Sequence, residues 1–244
     1  MIPGSTKAWG SALLFLFGAA HGVASDLPEK EIHLTQDWAV RSTTQIEETG
    51  ADVSSPEYDH DDWFAADIPT TVLSALVRGG IYPDPYVGLN NMRIPDACEE
   101  FNQKHDLGRF SHLPDGRNPW LEPYWFRTRF ALPEEYDGKV IWLRLRGINY
   151  RAEVWMNGRP VAGPEKIVGM FGDWTLNVSA FARPGALNGL AIKIFPLDVP
   201  GIPGEPQLEA FGSFGLNGGE TGDIGINVTM QSSVGWDWLP AVRD

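Results

Sequence analysis

Trp236-Asp237-Trp238, introduced by Gly235 and closed by Pro240, sets two indoles and a carboxylate within one short turn. Sugar rings expose flat C–H faces that stack on aromatic rings, and their hydroxyls need donors and acceptors beside that stack. Strand alternation would put Trp236 and Trp238 on one face and Asp237 on the other, but a turn breaks the rule. Which of the three meets a ligand therefore stays open. So does the plainer alternative, in which both tryptophans pack against the fold and backbone amides satisfy Asp237.

Other chemistry-bearing residues point to less. Glu47-Glu48, Glu99-Glu100 and Glu134-Glu135 are carboxylate pairs on paper. Adjacent residues in extended chain face opposite ways, so such pairs do not flank one glycosidic bond. Asp59-His60-Asp61-Asp62 is contiguous rather than spaced to converge on a metal, and reads as a solvated turn. The run Gly218-Gly219-Glu220-Thr221-Gly222-Asp223 has no Gly-Lys-Ser/Thr and opens no helix, so it is not a phosphate cradle. Cys98, the single cysteine, has no intrachain partner and reads as a small buried apolar residue. Nothing here calls for a cofactor or a metal.

The elements that must position these groups read mostly as strands. Tyr124–Phe130 alternates, with Phe126 and Phe130 on one face and Arg127 and Arg129 on the other. Lys139–Arg146 repeats the pattern with Ile141, Leu143 and Leu145 inward. Arg151–Met156 does so again and runs into Asn157-Gly158, the dipeptide suited to a type I′ hairpin turn. Leu190–Phe195 is a further strand, and an earlier one is expected over Ile32–Val40. Helical spacing occurs once, at Val72, Leu73, Leu76 and Val77, with Thr70 or Thr71 as cap and Gly79-Gly80 as stop. Short strands, one short helix and turns rich in glycine and proline predict an all-β fold, an antiparallel jelly-roll sandwich. Long polar or glycine-rich loops are expected over Glu99–Trp120 and Pro196–Gly225.

A net charge of −13 disfavours nucleic acid and anionic membrane as partners, since both need clustered Lys and Arg. Residues 1–25 carry Lys7, an apolar run over Ala12–Ala20, then Gly22, Ala24 and Ser25, the pattern of a cleaved secretory signal. The run is too short to span a bilayer. The expected product is secreted, with residues 26–244 as its folded domain. Two sequons, Asn177-Val178-Ser179 and Asn227-Val228-Thr229, are acceptors in a host that glycosylates.

An ordered set of blocks resembles glycoside hydrolase family two. They are Ile68-Pro69-Thr70-Thr71-Val72-Leu73, Pro83-Asp84-Pro85-Tyr86 with Gly88 and Asn90, Tyr124-Trp125-Phe126, Gly147–Val154, Met156-Asn157-Gly158, and Gly235-Trp236-Asp237-Trp238 through Asp244. The branch it is similar to holds β-mannosidases, exo-β-glucosaminidases and mannosylglycoprotein endo-β-mannosidases. The resemblance implies a galactose-binding-like jelly roll that precedes immunoglobulin-like domains and a (β/α)₈ barrel. It also implies a retaining mechanism with two barrel glutamates, a geometry needing carboxyls about 5–5.5 Å apart. The family's acid/base follows an asparagine, and no Asn-Glu dipeptide occurs here, so no catalytic residue carries over. What the resemblance carries over is a sugar-holding role for Asp237, flanked by Trp236 and Trp238, with the Asp84 to Asn90 loop nearby. The family's Gly-Ile-Trp closing strand is not reached by Asp244, so an edge strand is expected to be missing.

The expected function is that of a sugar-binding accessory domain in a secreted β-glycosidase. Its partners would be a β-linked mannose- or glucosamine-containing carbohydrate and the enzyme's own further domains. A stand-alone carbohydrate-binding module and a purely structural module are the alternatives.

Overall fold

Alternation of apolar and polar residues resolves into eight strands in a computed structural model that describes residues 31–88, 90, 94, 119, 122–169 and 172–196. In chain order they are β1 Trp38–Ser42, β2 Phe64–Ala66, β3 Tyr124–Leu132, β4 Trp142–Arg146, β5 Arg151–Met156, β6 Arg159–Val168, β7 Asp173–Asn177 and β8 Ala186–Phe195. Among the described residues they form a six-stranded sheet of order β2-β1-β3-β8-β5-β6 and a two-stranded sheet β4-β7. All pairings are antiparallel. All eight strands lie within the compact unit Leu34–Asp244.

Register explains which face becomes core. Val40 pairs with Phe126, Phe126 with Ile192 and Ile192 with Val154, so one rung of four strands is apolar throughout. Tyr124, Ala152, Met156 and Leu190 lie on the same face and are buried with it. Leu145 of β4 and Leu176 of β7 close that core from the second sheet, with Ile141 and Leu143 packed at its edge. The inward residues expected on β3 and β4 are thus the ones observed.

Two turns fix the strand ends. Asn157 and Gly158 have φ of 52° and 80°, the paired left-handed geometry that a two-residue I′ turn demands. Asn157 is buried there and works twice: Nδ2 donates to Asn188 Oδ1 at 2.7 Å, and Oδ1 accepts from Gly189 N at 2.9 Å. Gly189 itself has no room for a side chain, because a Cβ would stand 2.3 Å from the Ser54 carbonyl oxygen.

Two expectations need correction, and a third is extended. The strand predicted over Ile32–Val40 begins only at Trp38, since Asp37 takes φ 59° and breaks the extended run. The strand predicted from Lys139 begins at Trp142, with Ile141 N donating instead to Ser179 Oγ at 2.9 Å. The expected helix is present as α2, Val72–Arg78, with Thr71 Oγ1 accepting from Ser74 N at 3.1 Å. It is joined by a one-turn helix α1, Gly50–Val53, held by a capping box between Thr49 and Asp52. Residues 1–25, Cys98, Asn227, most of Glu99–Trp120 and of Pro196–Gly225, and the end of the chain, on which the expectation of a missing edge strand bears, lie outside the described residues.

Candidate functional site

The opposite face of the large sheet is not a solvent face of the usual kind. There Arg41 pairs with Trp125, Trp125 with Lys193, and Lys193 with Glu153. The neighbouring rung is Ala39, Arg127, Ala191 and Trp155. Residues between β1 and β2 cover this second face, burying Val53 and Trp63 against Trp125 and Ala191.

Arg127 fastens that cover. Its side chain is fully buried, donating from Nε to Val53 O and from Nη2 to Ser55 O, both at 2.7 Å. Nη1 lies 2.8 Å from His60 Nδ1, and the guanidinium sits 5.4 Å from the centre of the Tyr58 ring. Burial, aided by Arg129, brings Arg127 down to about 10, still a cation at neutral pH. His60 is lowered by burial first and then by the charges of Arg127 and Arg129. A neutral imidazole can accept from Nη1, which a protonated one cannot.

Beside this clamp lies a cleft of about 500 Å³ lined by Arg41, Glu47, Glu48, Tyr58, Asp62 and Trp63 among others. Tyr58 and Trp63 meet edge to face, 5.9 Å between centroids, and Arg41 pairs with Asp62 at 2.9 Å. The Tyr58 hydroxyl is held to its proton by burial, then by the nearby charges of Glu48 and Asp62. Carboxylates and a guanidinium beside the half-buried Tyr58 ring offer polar partners of the kind that sugar hydroxyls need.

The predicted site residues divide. Asp84 and Asn90 are brought together: Asn90 Nδ2 donates to Asp84 O at 3.1 Å, and Asp84 Oδ1 accepts from Tyr86 N at 2.9 Å. Asp84 is exposed at the head of this turn. Trp236, Asp237 and Trp238 lie outside the described residues. Asp59–Asp62 is a turn, with Asp61 N donating to Asp59 Oδ1 and His60 committed to Arg127. No cluster of metal-ligating side chains occurs among the described residues. Among the described residues, the carboxylates displaced from their ordinary range, Asp52, Glu57 and Asp173, are lowered, first by hydrogen bonds from Thr49, Ser55 and Arg144 respectively. A glycosidase general acid needs the opposite displacement. The cleft escapes a reading of the sequence because Glu47-Glu48 and Asp59–Asp62 each look like isolated surface charge. Glu48 and Asp62 both act on Tyr58, whose ring lies against the buried Arg127.

Two packed antiparallel sheets with few helices define a galactose-binding-like sandwich domain. The chain belongs to the glycosyl hydrolase 2 galactose-binding domain-like family, which matches residues 115–244. It is similar to mannosylglycoprotein endo-β-mannosidase of Lilium longiflorum, 31% identical over 217 residues, covering 86% of this chain and 19% of that protein. It is similar also to exo-β-D-glucosaminidase of Streptomyces avermitilis, 31% identical over 159 residues, covering 65% of this chain and 15% of that one. The crystal structure of the exo-chitosanase CsxA of Amycolatopsis orientalis shares the fold, with a TM-score of 0.53 at 22% identity over 68% of this chain and 16% of that one. The chain spans less than a fifth of the length of these two curated relatives.

Proposed function

We propose that this chain is the sugar-handling accessory domain of a secreted glycoside hydrolase that cleaves β-mannosidic or β-glucosaminidic O-glycosyl bonds. Residues 26–244 form the domain, and the catalytic glutamates stand on another part of a longer protein. The observation that supports it is family membership together with relatives named for β-linked mannose and glucosamine. In this reading Asp237 accepts hydroxyl hydrogen bonds from the terminal sugar, Trp236 and Trp238 frame it, and the Asp84–Asn90 turn lies alongside. The purified 244-residue protein should release no nitrophenol from nitrophenyl β-mannoside or β-glucosaminide. Turnover by that chain alone would overturn the assignment.

The cleft between Arg41 and Trp63 favours a second reading, a carbohydrate-binding module in its own right, since its lining comes entirely from this chain. Calorimetric titration with mannan and chitosan oligosaccharides separates the two. Binding lost in Tyr58→Ala but kept in Asp237→Asn assigns the ligand to the cleft, and the reverse assigns it to the 236–238 turn.

A further inference from the structure

The outer face of the β4-β7 sheet carries one residue out of keeping with the rest. Arg144, Arg146, Asp173, Thr175 and Asn177 are polar and exposed, as a solvent face should be. Asp173 holds Arg144 and Arg146 in ion pairs along it. Trp142, on the same face, leaves 58% of its surface in water. A single exposed apolar residue is ordinary in itself. The register makes this one informative: Trp142 is the direct cross-strand partner of Asn177. Directly opposed side chains on one face have Cβ atoms about 4.5–5.5 Å apart.

Asn177 opens the sequon Asn177-Val178-Ser179 at the end of β7. Val178 is buried and anchors the sequon, while Asn177 and Ser179 are exposed. Asn177 Oδ1 accepts from Ser179 N at 3.1 Å. Among the described residues its Nδ2, the nitrogen that would bear a sugar, has no hydrogen-bond partner.

We infer that Asn177 is an N-glycan acceptor and that the first N-acetylglucosamine of the glycan lies on the indole of Trp142. The donor class is a polyprenyl-pyrophosphate oligosaccharide. The new bond joins Asn177 Nδ2 to the sugar's anomeric carbon as that carbon's bond to pyrophosphate oxygen breaks. The lipid pyrophosphate leaves with the electron pair, and the amide nitrogen gives up one proton. The apolar C–H face of the sugar then covers the indole, and Thr175, diagonally across the pair, offers a hydroxyl to its rim. Only the native chain's access to that donor rests on the secretory route read from residues 1–25.

The test is expression in a eukaryotic secretory host, once with residues 1–25 and once with the host's leader before Asp26. Mass mapping should find Asn177 glycosylated in both. The glycosylated chain should unfold about 2–4 °C above the same chain made with N-glycosylation blocked. Trp142→Ala should close that gap and Trp142→Phe should keep part of it. Ring-current displacement of the sugar's N-acetyl methyl resonance, lost in Trp142→Ala, reads the same contact without an unfolding transition. A glycan at Asn177 behind the host's leader only would remove the secretory reading and leave this one standing. An unmodified Asn177 on an exported chain would overturn it, as would a resonance and a gap indifferent to Trp142→Ala.

Discussion

The two faces of the large sheet are built from the same strands and solve different problems. On the inner face, Val40, Phe126, Ile192 and Val154 form a rung that needs only apolar volume and good packing. One residue along, Arg41, Trp125, Lys193 and Glu153 form a rung of mixed character, and Arg127 is buried in the next. The cover over that face is a segment with little regular structure, whose backbone carbonyls must be satisfied by something. Arg127 satisfies two of them, through Nε and Nη2, and so ties the segment down. One face is held by area, the other by a clamp.

That difference is broken most sharply by paired substitutions on β3. Phe126→Ala removes a ring from the inner core and should cost about 3–5 kcal/mol. Denaturant titration should show an earlier midpoint with an unchanged slope. Arg127→Lys keeps the charge but loses the planar fork, leaving buried carbonyl oxygens unpaired at a cost of about 2–4 kcal/mol. Its signature should be local, with faster hydrogen exchange over residues 46–63 that Phe126→Ala does not single out. Equal protection of that segment in the two variants would mean that Arg127 is no clamp.

The inner face was the legible one. Alternation over Tyr124–Phe130, the Asn157-Gly158 turn and the Thr71-capped helix are short-range signals, and the strands and turns they imply are present. β2 has three residues and no pattern to read. The α1 helix did have a signal, Thr49 followed by Asp52 as a capping box. The second face was illegible for a physical reason. An arginine in an alternating strand reads as a solvent residue, and only the path of residues 46–63 reveals that Arg127 is buried. The cleft follows from that path, because Glu47, Glu48, Tyr58 and Asp62 converge only once the segment is pinned. Of the site residues, Asp84 and Asn90 meet in one turn.

The clamp should also sense acid. His60 binds its proton less tightly in the folded chain than free histidine does, so the unfolded chain binds more protons as pH falls below about 6.5. Stability therefore declines from there down to the lowered folded value, and levels off below it for this group. The difference in denaturation midpoint between wild type and His60→Gln should change with that slope between pH 7.5 and 5.5. A constant difference across the range would show that His60 is not the acceptor of Arg127.

The smallest effect belongs to the polar rung itself. Lys193 Nζ stands 3.6 Å from Glu153 Oε1 and within 5.4 Å of the Trp125 ring centre, with both charged side chains about a quarter exposed. Water screens such a pair, and Glu153→Gln should cost about 0–1 kcal/mol. The amide oxygen can still accept from Trp155 Nε1, which now donates to Glu153 Oε2 at 3.0 Å. The cation over Trp125 needs no carboxylate to stay there. A loss as large as that of Arg127→Lys, measured in the same titration, would mean the whole second face is one coupled polar network. A small loss confines the clamp to Arg127 and leaves the Arg41–Glu153 rung as its solvated margin.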